Sequence, residues 1–316
     1  MNHRKIMSYE LRQDETVGDG LQRIVGEQIE GAIKASTAEQ NGKASPVHET
    51  RKHLKKARAA LRLAHGEISK EVRKREDKCL RKVGQLISEV RDAEVRLQTV
   101  RQLREFARGK KRSFREIEEL LALELDSFLA AFSGWPDEAK QLLTKADERI
   151  RNWPLDSVRC EQVGGCVQKT YKRGRKTLKA AIAKPSIERL HTFRKRAKEL
   201  WYQLRLLRPL HPGVFKELND ELKTIGEYLG QVHDLAFVAE RLSSIGPARK
   251  KGERRLKALI DSREQELKST AIALGERFYA ERPRQFARRL SRYFSEWESA
   301  KVRCSSADGQ RAELLT

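Results

Sequence analysis

Apolar residues recur at intervals of three and four along almost the whole chain, as in Leu54, Ala57 and Leu61, or Phe193, Ala197, Leu200 and Leu204. No run alternates with the period of two that a half-buried strand requires, so the spacing predicts an all-α protein. Breaks in the pattern fall near residues 40–46, 109–113, 133–136, 152–156, 183–186, 209–213 and 245–247. Ser45 before Pro46 reads as a cap followed by a first-turn proline, and Ser113 with Glu116 reads as a capping box. The prediction is a series of helices of roughly 15–35 residues joined by short turns.

The pattern also repeats at long range. VHETRKHLKKARAALRL (47–63) aligns with LHTFRKRAKELWYQLRL (190–206) at an offset of 143 residues. Some forty residues beyond each, Arg91-Asp92-Ala93 answers His233-Asp234-Leu235, the aspartates lying 142 apart. The preceding stretches, 20–35 and 165–180, correspond more loosely. Two homologous helical bundles, residues 1–150 and 151–316, are the architecture this duplication predicts.

Charge sharpens the picture. The chain carries 67 Lys and Arg against 45 Asp and Glu, a net +22 over 316 residues. Residues 47–63, 166–184 and 191–208 together contribute +17 of it, whereas residues 114–150 are net −5. A surplus this concentrated calls for an anionic partner: a phosphate polymer, a nucleic acid or an anionic membrane. No stretch approaches the roughly 20 apolar residues of a membrane span, and no apolar run follows the early positive charges to make a signal peptide. Cys79, Cys160, Cys166 and Cys304 match no common zinc spacing and read as free thiols, which points to a reducing, cytoplasmic setting.

On a helical wheel of about 100° per residue, Arg51, Lys52, Lys55 and Arg62 fall within about 60° of His48, opposite Leu54, Ala57 and Leu61. The second repeat does the same: Arg194, Lys195, Lys198, Tyr202 and Arg205 share a side with His191. Like charges at these spacings repel by a few tenths of a kcal/mol per pair, approximately, so each stripe costs helix stability and suggests a binding face. Successive groups advance by about 5–6 Å, a match to neighbouring anions on an extended polymer. Arginine offers a two-pronged fork to phosphate oxygens and lysine a point charge. Lys56 and Arg58 extend the first stripe, and Lys169, Arg173, Arg175, Lys176 and Lys179 form a third acid-free helix.

These residues resemble a known family. Val47, His48, Arg51, Lys55, Lys56 and Arg58, with Leu190, His191, Arg194, Lys195, Lys198 and Tyr202, resemble the paired motifs of the CHAD domain, the conserved histidine α-helical domain. Tyr171, Arg173, Gly174 and Arg175, and Leu229, Gly230, Asp234 and Leu235, are similar to two further runs of that family; the likeness spans roughly residues 8–300. The resemblance implies two four-helix bundles about a pseudo-twofold axis, a shared cationic groove, and binding of inorganic polyphosphate at polyphosphate granules. Trp201 and the lysines at 55 and 56 depart from the family's usual basic residue and arginines. The triphosphatase domain fused to many relatives has no counterpart E-x-E-x-K signature here.

Catalysis finds little support in the sequence. His48 and His191 have no hydroxyl or thiol neighbour to activate. His48 and His53 point about 140° apart and cannot share a metal. Asp92 and Asp234 are lone acids where magnesium chemistry on phosphates needs converging carboxylates. The sequence therefore predicts a non-enzymatic polyphosphate binder without cofactor or metal, with tighter binding as pH falls through about 6.5 if the histidines keep their ordinary pKa. The alternatives are a nucleic-acid-binding protein, against which the 6% aromatic content weighs, and an accessory subunit of a polyphosphate-metabolising enzyme.

Overall fold

The computed structural model describes residues 9–38, 45–64, 68–106, 111–155, 158–244 and 250–313. Within them the chain is helical, with no strand. Its helices are α1 (Val17–Ser36), α2 (Pro46–Leu63), α3 (Lys70–Leu86), α4 (Ser88–Phe106), α5 (Lys111–Ala131) and α6 (Trp135–Ile150). The second half adds α7 (Cys160–Ala183), α8 (Ile187–Leu206), α9 (Pro212–Ser244), α10 (Lys250–Phe278) and α11 (Pro283–Glu313), with one 3-10 turn at Arg208–Leu210.

Local chemistry sets many of these starts. Ser45 accepts from the His48 amide at 3.0 Å and Pro46 fills the first helical position, as the sequence predicts. Ser69 and Ser186 cap α3 and α8 in the same way. Ser113 does not cap α5, which begins two residues earlier at Lys111; the side chains of Ser113 and Glu116 lie outside the described residues, as does the predicted break at 245–247. Three boundaries have no counterpart among the predicted breaks. The chain leaves α2 after Leu63 and enters α3 at Lys70, Ile87 separates α3 from α4, and a turn at Tyr279–Arg282 separates α10 from α11.

Helices α1, α2, α3 and α6 pack on one another; in the second half α7 packs on α8, α10 and α11, and α9 on α8 and α10. Helices α2 and α8 touch across the halves, and so do α4 and α9. One continuous apolar core runs through both sets, from Leu21, Ile24 and Leu61 to Phe193, Leu222 and Phe294. Burying a side chain of this size contributes about 1.5–3 kcal/mol. The buried faces of α2 (Leu54, Ala57, Leu61) and α8 (Phe193, Ala197, Leu200, Leu204) are those the wheel predicts. Both helices therefore turn their charged sides away from the core.

Two close approaches fix these helices. His53 lies flat against α1 where a Cβ on Gly31 would stand 2.5 Å from its ring, and its Nδ1 is 3.0 Å from Gln28 Oε1. That contact makes His53 a packing residue. Ahead of α1, the Leu11 amide donates to the Leu206 carbonyl at 3.0 Å, and Tyr9 is buried edge-on against Tyr202 at 6.4 Å between centroids.

Candidate functional site

The N-terminal halves of α2 and α8 bring the two basic motifs to one place. Arg51 donates from Nη1 to the Gly84 carbonyl at 3.0 Å, and Arg194 donates from Nε to the Gly226 carbonyl at 3.3 Å. The donors are 143 residues apart and the acceptors 142, so the duplication persists as a duplicated hydrogen bond. Each arginine uses one donor on a helix backbone and keeps most of its fork for a ligand. Glycines on α9 leave room for these side chains as they lie. A Cβ at Gly226 would meet Lys198 Cε at 2.5 Å, and one at Gly230 would meet Arg194 Nη2 at 3.0 Å.

Lys55 stands at the centre. Its side chain reaches water, yet protein surrounds it, and that enclosure together with Arg194, Arg51, Arg91 and Lys198 lowers its ammonium to about 7. Such a side chain sits in a recess rather than on a convex face. Lys198 is brought to about 8 by burial and then by Arg194, and Lys56 to about 8 by burial and then by Arg205. Burial first, and crowding by other cations second, bring these ammonium groups toward neutral pH despite Glu227 beside Lys198 and Glu49 beside Lys56.

Arg91 of α4 belongs to this cluster. Its charge acts on His48, Arg51, Lys55 and Arg194. The sequence reading noted Arg91 only as part of a repeat marker. Its value lies in the register, since it occupies the place that His233 holds in the second half. Asp92 faces Arg51 and Asp234 faces Arg194, and the two aspartates feel each other. Burial nevertheless raises both carboxyls above their ordinary range. They hold the arginines in place without cancelling the surplus.

The histidines behave differently from the sequence expectation. Burial, then Arg91, lowers His48. Burial, then the facing His233 ring, lowers His191 to about 4. Burial, then Arg194 and Lys195, lowers His233 to about 4. The free protein therefore holds His191 and His233 neutral at pH 6.5, and an anion that raises their pKa would tighten its binding from the bound-state pKa down to about 4.

Other predicted residues fall into three groups. Arg58 and Arg62 are committed to carboxylates: Arg58 grips Asp77 at 2.8 Å, and Arg62 reaches Glu199 on α8 at 3.0 Å, where Arg196 also binds at 2.7 Å. They tie α2 to α3 and α8. Lys56, Tyr202 and Arg205 form an aromatic edge with Tyr9 and Trp201. Lys198 lies 4.3 Å and Arg205 5.1 Å from the Trp201 ring centre, and Lys56 5.3 Å from that of Tyr9. Trp201 thus holds two of the cations, so the departure from a basic residue there supplies a platform in exchange for a charge. Lys52 pairs with Glu49 at 2.9 Å and Lys195 is exposed, both at the margin.

The α7 cations stand apart. Lys169, Arg173, Lys176 and Lys179 are exposed and Arg175 is half-buried, but none acts on the α2–α8 cluster. Among the described residues no three His, Cys, Asp or Glu side chains converge to hold a metal, and no helix is long and apolar enough to cross a membrane. No disulfide joins the described cysteines Cys79, Cys160 and Cys166.

Comparison with known proteins agrees with this geometry. A family model for the CHAD domain matches residues 24–243. The crystal structure of the CHAD domain from the plant Ricinus communis superposes with a TM-score of 0.59 at 14% identity, covering 87% of this chain and 95% of that one. No curated protein sequence matches. With the family model matched over most of its length and an all-helical fold, the chain belongs to the CHAD family.

Proposed function

We propose that this protein binds inorganic polyphosphate without transforming it, and that binding recruits it to cytoplasmic polyphosphate granules. The observation that carries the reading is the cluster of Arg51, Lys55, Arg91, Arg194 and Lys198, whose mutual repulsion Asp92, Glu94, Asp234 and Glu227 offset only in part. A polymer bearing one negative charge per phosphate would relieve it along its length, and release of counterions would drive association, as it does on nucleic-acid backbones. The duplicated arginine anchors support one continuous site built from the two repeats in the pseudo-symmetric arrangement expected from the sequence.

Nucleic acid fits less well. Single strands are held by stacking bases on open aromatic rings. Tyr9 and Tyr202 are buried, and Trp201 already carries Lys198 and Arg205 against its ring.

Titration of the purified protein with polyphosphates of defined length, against DNA and heparin of equal charge, tests the reading. Polyphosphate is expected to bind more tightly than either, with an affinity that falls steeply with salt. Equal affinity for all three polymers would reduce the site to a non-selective cationic surface.

A further inference from the structure

Around Lys55 the repeats supply matching pairs, His48 and His191, Arg51 and Arg194, Lys55 and Lys198, Asp92 and Asp234, but differ at Arg91 and His233. In the first, His48 faces Arg91; in the second, His191 faces His233, their ring centroids 4.2 Å apart at an interplanar angle of 33°. Arg91 and His233 are repeat-equivalent, 142 residues apart. Arginine keeps its charge at every accessible pH, whereas histidine does not. The halves therefore differ in permanent charge.

The surroundings of the histidine pair make the difference count. Nδ1 of both rings is enclosed and has no hydrogen-bond partner, and neither ring bonds to any described group. The charges acting on His191 are those of His233, Lys195 and Arg194 and, from α2, Lys55; those acting on His233 are Arg194 and Lys195. No carboxylate is among them. The Phe237 ring closes the far side of His233 at 4.5 Å. A proton arriving here meets chiefly cations and apolar surface, the neighbouring Asp234 being turned to Arg194, and what would stabilise it is an incoming anion.

We infer that the two half-sites are not equivalent: the half built on Arg91 is a permanent anchor, and the half built on the His191–His233 pair takes its phosphate groups together with protons from solution. The inference rests on the polyphosphate-binding reading. Below pH 6.5 the lysines are mostly charged, and Asp234, whose carboxyl burial raises, is the other group beside the rings that can take up a proton, so the His233 variants assign the uptake. The sign is fixed by linkage. A ligand that raises the pKa of these rings binds more tightly as pH falls, by up to tenfold per pH unit for each proton taken up, and the effect ends once the free rings are themselves charged near 4.

The test is calorimetric titration with polyphosphate between pH 5 and 6.5, in buffers of different ionisation enthalpy. The wild-type protein is expected to take up protons on binding. His233→Arg, which copies the first repeat, is expected to take up at least half a proton fewer and to bind more tightly at pH 6.5. His233→Gln should lose the same uptake but bind more weakly, which guards against misreading a folding defect. Arg91→His should gain uptake. Binding with no proton uptake in the wild type, or uptake unchanged in both His233 variants, overturns the inference and leaves polyphosphate binding intact. Absence of binding at every pH overturns the underlying reading instead.

Discussion

Replacing Lys55 by glutamate is expected to weaken polyphosphate binding by about 100-fold or more, the largest loss from any single change in the site. Lys55 is where the two repeats meet: Arg51 from its own helix, Arg91 from α4 and Arg194 and Lys198 from the second half all act on its ammonium. A charge-assisted hydrogen bond to a phosphate oxygen contributes about 1.5–3 kcal/mol, and each 1.4 kcal/mol is about tenfold in affinity. Reversal removes that bond and sets a carboxylate where the polymer must pass. It also hands Arg194 and Arg51 an internal partner. Lys55→Met, which only removes the charge, should cost about tenfold. Arg58→Ala is expected to lower stability more than affinity, because Arg58 spends its guanidinium on Asp77. Binding curves for the three variants check the order.

The largest stability effect lies away from the site. Glu76 is fully buried between α3 and α6, bound by Arg149 through two hydrogen bonds of 2.8 and 2.7 Å and by Arg75 at 2.8 Å. Removing one partner of a buried ion pair typically costs about 3–5 kcal/mol. Arg75 remains in Arg149→Ala, so about 3 kcal/mol is expected, a fall in Tm of roughly 4–5 °C for a cooperative unit of 316 residues. The double change Glu76→Leu with Arg149→Met should recover much of that loss, since an apolar pair leaves no charge without its partner. Polyphosphate affinity should stay within about twofold in both, measured at a temperature where each is folded. Thermal melts beside binding curves separate the two quantities.

How much of this could be read from the residues follows from what each signal encodes. The wheel on residues 47–63 and 190–206 gave the core face and the charged face of α2 and α8 because burial depends on angular position alone. Ser45-Pro46 marked the start of α2 because capping is local. The division between α3 and α4 at Ile87 carries no proline and no adjacent glycine, so nothing in the local sequence ends a helix there. The turn before Pro283 did carry a proline, and the sequence reading passed over it.

The site was legible in outline and incomplete in its neighbours for the same reason. A stripe shows which side chains share a face but not what the neighbouring helix brings to it. Asp77 and Glu199 capture Arg58 and Arg62 from α3 and α8, and α4 delivers Arg91 to His48 and Arg51. Arg91 could have been found by taking the repeat literally, since its partner position holds His233. The histidine pKa values could not, because they depend on enclosure and on the facing ring.

Amine acylation at pH 7.5, read lysine by lysine by mass spectrometry, tests directly whether the cations of both repeats hold one polymer. Free Lys55, with its ammonium brought down to about 7, should be among the fastest to react, followed by Lys198 and Lys56. Saturating polyphosphate should slow all three together by tenfold or more and leave the exposed Lys140 and Lys145 of α6 unchanged. If Lys55 and Lys198 react equally fast with and without the polymer, the phosphate chain does not lie between the repeats.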